Sequence, residues 1–172
     1  MEKLNNTINL AEKFANSGKF KVLFQDGMNL VEESANYLDG LGRDHAKSLS
    51  RTAAMLYGSE SMRLTTRLMQ LASWLLLQRA ANEGEMSRSQ LLEEKTKIKL
   101  GDTVHRTNHP SWDELPTDFI DLVTRSLTIQ NRVMTLDMEL YGERAEDNSE
   151  TTKSPVEQQI DLLSTAFGAT KQ

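Results

Sequence analysis

Two histidines four residues apart, His105 and His109, with Asp102 just upstream, are the only metal-like spacing in this chain. On a helix that spacing turns both imidazoles to one face, where they could share a zinc ion. Here the pair precedes Pro110 in a loop, lacks the intervening glutamate that zinc proteases use, and has no third ligand in view. Exposed loop histidines are therefore expected; stoichiometric zinc would instead support a metal-dependent enzyme. A second constellation is Glu60, Arg63 and Arg67, spaced for helical ion pairs worth only about 0.2–0.5 kcal/mol each when exposed. Glu60 also falls on an apolar stripe. A solvated boundary charge is the expectation; the alternatives are a partly buried pair that fixes helix register, or a contact point for a partner. Lys95, Lys97 and Lys99 form a small basic group, but Glu93 and Glu94 adjoin it, so a solvated face is expected rather than a phosphate track. No glycine-rich phosphate loop, serine elbow or carboxylate pair set against a histidine occurs, which disfavours a kinase, hydrolase or dehydrogenase. No catalytic residue, cofactor or metal ligand is assigned.

These residues hang on a helical frame. Ser59 to Ala81 is the longest stretch with no proline, no glycine and an unbroken helical pattern. Leu64, Leu68, Leu71 and Leu75 recur at steps of four, three and four, and Met62, Met69, Ala72 and Leu76 form a second stripe beside them. From Trp74 to Leu77 the segment is apolar on every side, so that end needs cover from other helices, a second subunit, or both. Leu71, Trp74, Leu75 and Leu76 are accordingly assigned to a bundle or dimer core. Upstream, Phe20, Phe24, Val31, Ala35 and Leu38 define a first helix that follows the Ser17-Gly18 break and ends at Asp39-Gly40-Leu41-Gly42, where a left-handed glycine can close it. A restart near Asp44 would give a second helix of about 40 residues running to Gly84, with Gly58 weakening it without breaking it. Ser87 caps a short outer helix, Arg88 to Lys97, and Lys99 to Asp113 reads as the loop that returns the chain. Pro116 opens a third helix to Tyr141 with two apolar stripes, and Val133, Leu136 and Leu140 on one of them join the core assignment.

The termini differ from this frame. Residues 1–19 carry a weak stripe among asparagines and read as a loosely ordered arm, and 20–142 as the helical domain. Residues 143–172 read as an acidic linker and docking tail. Ser154-Pro155-Val156-Glu157 is a capping box with proline at the first helical position. Val156, Ile160, Leu163 and Phe167 follow at helical spacing, an amphipathic element short enough to need a surface on which to fold. The fold expected is all-α: a three-helix bundle with one long central helix, a short outer helix and a flexible tail carrying a short amphipathic helix.

The totals narrow the partners. A chain of 172 residues with net charge −5 holds about one domain plus tails, and its acidity does not attract nucleic acid or anionic lipid. Protein partners are expected, with no nucleic acid and no membrane. The absence of cysteine fits a reducing compartment, and the first residues lack a signal-peptide core, so a cytoplasmic protein is the reading.

The central block also carries a resemblance. Glu60-Ser61-Met62-Arg63-Leu64-Thr65-Thr66-Arg67-Leu68-Met69-Gln70, then Ala72-Ser73-Trp74-Leu75-Leu76 and Gln78-Arg79-Ala80, resemble the signature of the bacterial RcdA family, the regulators of CtrA degradation. Tyr37-Leu38-Asp39-Gly40, Gly42-Arg43, Leu49-Ser50-Arg51, Glu83-Gly84-Glu85-Met86, Arg132-Val133 and Leu136-Asp137 agree in the same order, so the likeness runs from Phe20 to Tyr141. It implies a homodimeric three-helix bundle without catalytic activity. It also implies an adaptor that joins the ClpXP protease, primed by a CpdR-like response regulator, to cargo directly or through a PopA-like adaptor. A disordered C-terminal tail is a further family feature. Val156, Ile160, Leu163 and Phe167, with Glu60, Arg63 and Arg67, are the candidate partner-binding residues. The competing class is a helical DNA-binding transcriptional regulator, with the corner at Gly40-Leu41-Gly42 imitating a helix-turn-helix.

Overall fold

The computed structural model describes residues 18–101 and 108–142, and every regular element among them is helical. Helix α1 spans Gly18–Asp39, α2 Leu41–Lys47, α3 Arg51–Asn82, α4 Arg88–Lys95 and α5 Thr117–Tyr141, with a short 3-10 turn at Trp112–Glu114. Contacts between side chains set the directions. Phe24 lies under the Arg79 guanidinium and Gly27 meets Leu75, while at the other end of α1 Tyr37 stacks on Phe119, whose ring lies 4.6 Å from that of Tyr57. Helix α1 is thus antiparallel to α3. Phe119 meets Tyr57, Ser126 meets Arg67, Asp137 meets Trp74 and Tyr141 meets Gln78, so α5 runs parallel to α3. Parallel neighbours need a connection that travels the length of the bundle, and residues 83–116 supply it. Leu91 and Leu115 are buried along the way, and Ser50 Oγ donates to Glu114 Oε2 at 2.7 Å, tying the return to the start of α3.

Leu30, Leu64, Leu75, Phe119 and Val133 lose nearly all exposure where the three long helices meet. Two glycines let the helices close on one another. A Cβ at Gly27 would stand 2.5 Å from Leu75 Cδ1, and one at Gly42 would stand 2.5 Å from the Tyr57 hydroxyl and 2.8 Å from the Tyr37 carbonyl. Tyr37 sits at this junction with its hydroxyl 3.1 Å from His45 Nδ1, and burial pushes its phenol pKa up to about 12, with Tyr57 and Asp118 adding to the rise.

The long second helix expected from about Asp44 to Gly84 is interrupted. The chain leaves helical geometry at Ser48, whose hydroxyl donates to the His45 carbonyl, and re-enters with Ser50 as N-cap, its Oγ accepting from the Ala53 N–H. Two serines that bond their own backbone make this break more favourable than continuation. What remains is a helix of 32 residues, continuous through Gly58. Gly40 does not close α1 in a left-handed conformation either: its φ is −109°, and the chain enters α2 immediately. Helix α1 begins on Gly18, and the residues before it lie outside the described ones. Helix α4 stops at Lys95, two residues short of the expected Lys97.

Candidate interaction surface

Glu60 and Arg67 lie two turns apart on the inner side of α3, and both are fully buried. This overturns the solvated boundary charge expected for Glu60. The stripe position prevails because α1 and α5 close over it. Arg63, half-buried at the rim, donates to Glu60 Oε1. Arg67 Nη1 donates to Ser126 Oγ at 2.7 Å, and Ser126 in turn donates to the Val123 carbonyl at 2.6 Å. Arg67 Nε and Nη2 and Glu60 Oε2 have no hydrogen-bond partner among the described residues. Burial lowers the Arg67 pKa, Glu60 opposes the drop and Arg63 reinforces it. Glu60, Arg63 and Arg67 thus form a largely buried charge cluster with Arg63 at its rim, and the Arg67–Ser126 bond ties α3 to α5.

Lys95 belongs to a second cross-helix lock. Its Nζ lies 2.9 Å from Asp137 Oδ2 and 4.8 Å from the centre of the Tyr141 ring, while the other Asp137 oxygen accepts the Trp74 indole N–H at 2.7 Å. Lys97 pairs with Glu94 at 2.7 Å. The basic group is thus divided between packing and a surface pair, and it does not present an array of cations to a phosphate backbone. His109 Nδ1 accepts from the Ser111 N–H at 3.1 Å within a turn. His105 and Asp102 lie outside the described residues, and no group of three metal-ligating side chains exists among the described ones.

Leu71, Trp74, Leu75, Val133 and Leu136 sit in the core of a single bundle, and Leu140 packs at its edge. Leu76 does not. It is 48% exposed, because the bundle covers the sides of α3 that face α1 and α5 and leaves a third side open. Met55, Met62 and Met69 share that side at 72%, 74% and 65% exposure, so the second apolar stripe points outward instead of widening the core. Every other exposed position between Thr52 and Leu76 is glycine, serine or threonine, with no charge among them. Thr65, Thr66 and Ser73 donate their hydroxyls to carbonyls four residues back, which leaves their carbon surface outward. Beside this strip is a depression of about 750 Å³ whose walls include Leu38, Ala46 and Lys47 on one side and Gly58 and Met62 on the other. Val156, Ile160, Leu163 and Phe167 lie outside the described residues.

Ser126, Gln130 and Ser34 are buried polar residues that the sequence reading passed over. Ser126 and Gln130 each stand at helical spacing from an apolar neighbour, Ser126 from Val123 and Gln130 from Val133, and that is the signal that could have found them. The outward stripe had a signal as well, since the recurrence at 55, 62, 69 and 76 is strictly sevenfold and continues beyond what a core face of this bundle requires.

The class defined by these features is a small helical bundle whose buried and half-buried charged residues tie its helices together and in which the third side of α3 is apolar and uncharged. A family model described as a protein of unknown function (DUF1465) matches residues 11–167, and the chain belongs to that family, which is the family of RcdA. The crystal structure of RcdA from Caulobacter crescentus is similar to it at 45% sequence identity and a TM-score of 0.61, over 77% of this chain and 98% of that one. None of the curated proteins compared with the chain matches it. No helix among the described residues is long and apolar enough to cross a membrane.

Proposed function

We propose that this protein is a non-enzymatic adaptor in regulated proteolysis, working in the cytoplasm as a homodimer. It would link a ClpXP protease primed by a CpdR-like response regulator to protein cargo, directly or through a PopA-like adaptor. Membership of the RcdA family supports the class. The single observation that carries the mode of action is the uncharged outer face of α3, which runs from Thr52 through Met55, Met62 and Met69 to Leu76 without an exposed charge. Contiguous exposed apolar surface of this kind marks a protein contact. The polar residues most suited to chemistry are consumed in packing: Glu60 and Arg67 in the buried cluster, Lys95 and Asp137 in the lock.

In this reading the bundle, residues 20–142, is a scaffold, and 143–172 is an acidic linker with a docking element. The linker raises the local concentration of Val156, Ile160, Leu163 and Phe167 near whatever the bundle holds. The test is a pull-down from cell extract with the whole chain and with a chain lacking 153–172, followed by identification of what each retains. Retention of ClpX and a response regulator by the whole chain, with partners lost on truncation, supports the reading. Identical partners from both chains would remove the tail's role, and recovery of neither protease nor regulator would remove the adaptor reading.

A further inference from the structure

The outer face of α3 is symmetric under reversal. Turning the helix end for end about the midpoint of Thr65 and Thr66 exchanges Met55 with Leu76, Met62 with Met69, and Gly58 with Ser73. Large exposed residues fall on large ones and small on small. We propose that two copies of the chain meet on this face with their α3 helices antiparallel about that midpoint, so that Met55 of each packs on Leu76 of the other and Met62 on Met69. The proposal rests on the homodimer named above and supplies its surface, direction and register.

Three observations favour a second copy in this orientation over other occupants. First, the spacing is strictly sevenfold, and an α-helix drifts by about 20° per heptad, so the stripe winds slowly around α3. A second helix follows such a stripe only by crossing at about +20°, and an identical stripe winds to match. Second, Gly58, Thr65, Thr66 and Ser73 between the large residues allow close approach, and the hydroxyls of the last three are already satisfied within their own helix. Third, the ends are complementary. Arg51 opens the helix, and its other end carries the Arg79–Glu83 pair followed by Glu85. Antiparallel pairing brings Arg51 of one copy to the end of the other where Arg79, Glu83 and Glu85 together leave one net negative charge, and it opposes the helix dipoles, whereas parallel pairing sets Arg51 against Arg51.

The chain has no cysteine, so single introduced cysteines report the register cleanly. Thr66→Cys places two thiols beside the proposed two-fold axis. Met55→Cys places them about 32 Å apart along the helices, far outside the roughly 4.4–6.8 Å Cα separation of a disulfide. Under mild oxidation Thr66→Cys is expected to form a covalent dimer at least roughly tenfold faster than Met55→Cys, and the Met55→Cys/Leu76→Cys double variant is expected to regain cross-linking. Sedimentation of the same proteins gives the oligomeric state. Met55→Cys cross-linking as fast as Thr66→Cys means parallel helices and overturns the proposal. A sedimenting dimer in which none of the three variants cross-links means that the copies meet elsewhere; the proposal falls while the homodimer stands. A monomer removes both. Met69→Glu is expected to give a monomer with unchanged helical content, and an undiminished Met69→Glu dimer also overturns the proposal.

Discussion

Arg67 offers the sharpest test of how the bundle is held. Its guanidinium is fully buried, makes one 2.7 Å bond to Ser126, interacts with Glu60 two turns back on α3, and leaves two nitrogens, Nε and Nη2, unpartnered among the described residues. Arg67→Met retains most of the volume. It forfeits a charged hydrogen bond worth about 1.5–3 kcal/mol and relieves two buried donors that each cost about 1–3 kcal/mol. These terms nearly cancel, and Glu60 keeps Arg63, so Arg67→Met should lie within about 2 kcal/mol of the parent chain. Arg67→Ala removes the same groups and leaves a cavity between α3 and α5 as well, so a loss of about 3–5 kcal/mol is expected. Glu60→Gln combined with Arg67→Met should show a coupling of about 1–3 kcal/mol in a double-mutant cycle. The assay is urea unfolding at fixed protomer concentration, with the slope of the transition compared among variants. Arg67→Ala costing less than about 1 kcal/mol would mean that the guanidinium is solvated and that the buried cluster is not a structural lock.

Other perturbations address other parts. Trp74→Phe keeps the ring in the core and loses the indole bond to Asp137, so unfolding should become easier by about 1.5–3 kcal/mol, and a change near zero in thermal or urea unfolding would show that the lock contributes nothing. Gly42→Ala forces a methyl against Tyr57 and the Tyr37 carbonyl and should destabilise by about 1–3 kcal/mol; Gly58→Ala meets open space within the protomer and, in the monomeric Met69→Glu background, should stabilise by up to about 1 kcal/mol, with equal effects at the two sites counting against the packing described. The bidentate Arg125 contact lowers the Glu33 pKa, so its contribution is present above the usual carboxylate value near 4.5 and disappears as pH falls through the lowered one. Both side chains are about half exposed, which limits that contribution to less than about 1 kcal/mol, measured as the difference between parent and Glu33→Gln unfolding at pH 7 and in acid.

The apolar periodicity of the chain carried the helical frame well, because burial against two neighbours imprints a stripe on each long helix. Leu64, Leu71 and Leu75 on α3 and Phe119, Val123 and Val133 on α5 follow that rule. The break at Ser48-Leu49-Ser50 did not show, since helical spacing across it is unbroken and only the serine side chains reveal that the backbone can satisfy itself another way. Glu60 was misjudged for a related reason: a charge on an apolar stripe is ambiguous until the helices that close over it are placed. The same ambiguity hid Lys95, whose charged neighbours in sequence suggested a solvated face while its actual partners, Asp137 and Tyr141, lie about 40 residues away. Met62 and Met69 erred the other way, because sequence records that a stripe is apolar and not which partner covers it.

Whether this chain brings protease and cargo together is decided by reconstituted proteolysis. ClpXP, a CpdR-like response regulator in its active form and a cell-cycle cargo are combined with increasing amounts of the chain, and cargo loss is followed over time. Cargo is expected to disappear faster as the chain is added, the effect to saturate, and the chain itself to persist unconsumed. Cargo loss at the same rate at every concentration of the chain would contradict the adaptor function.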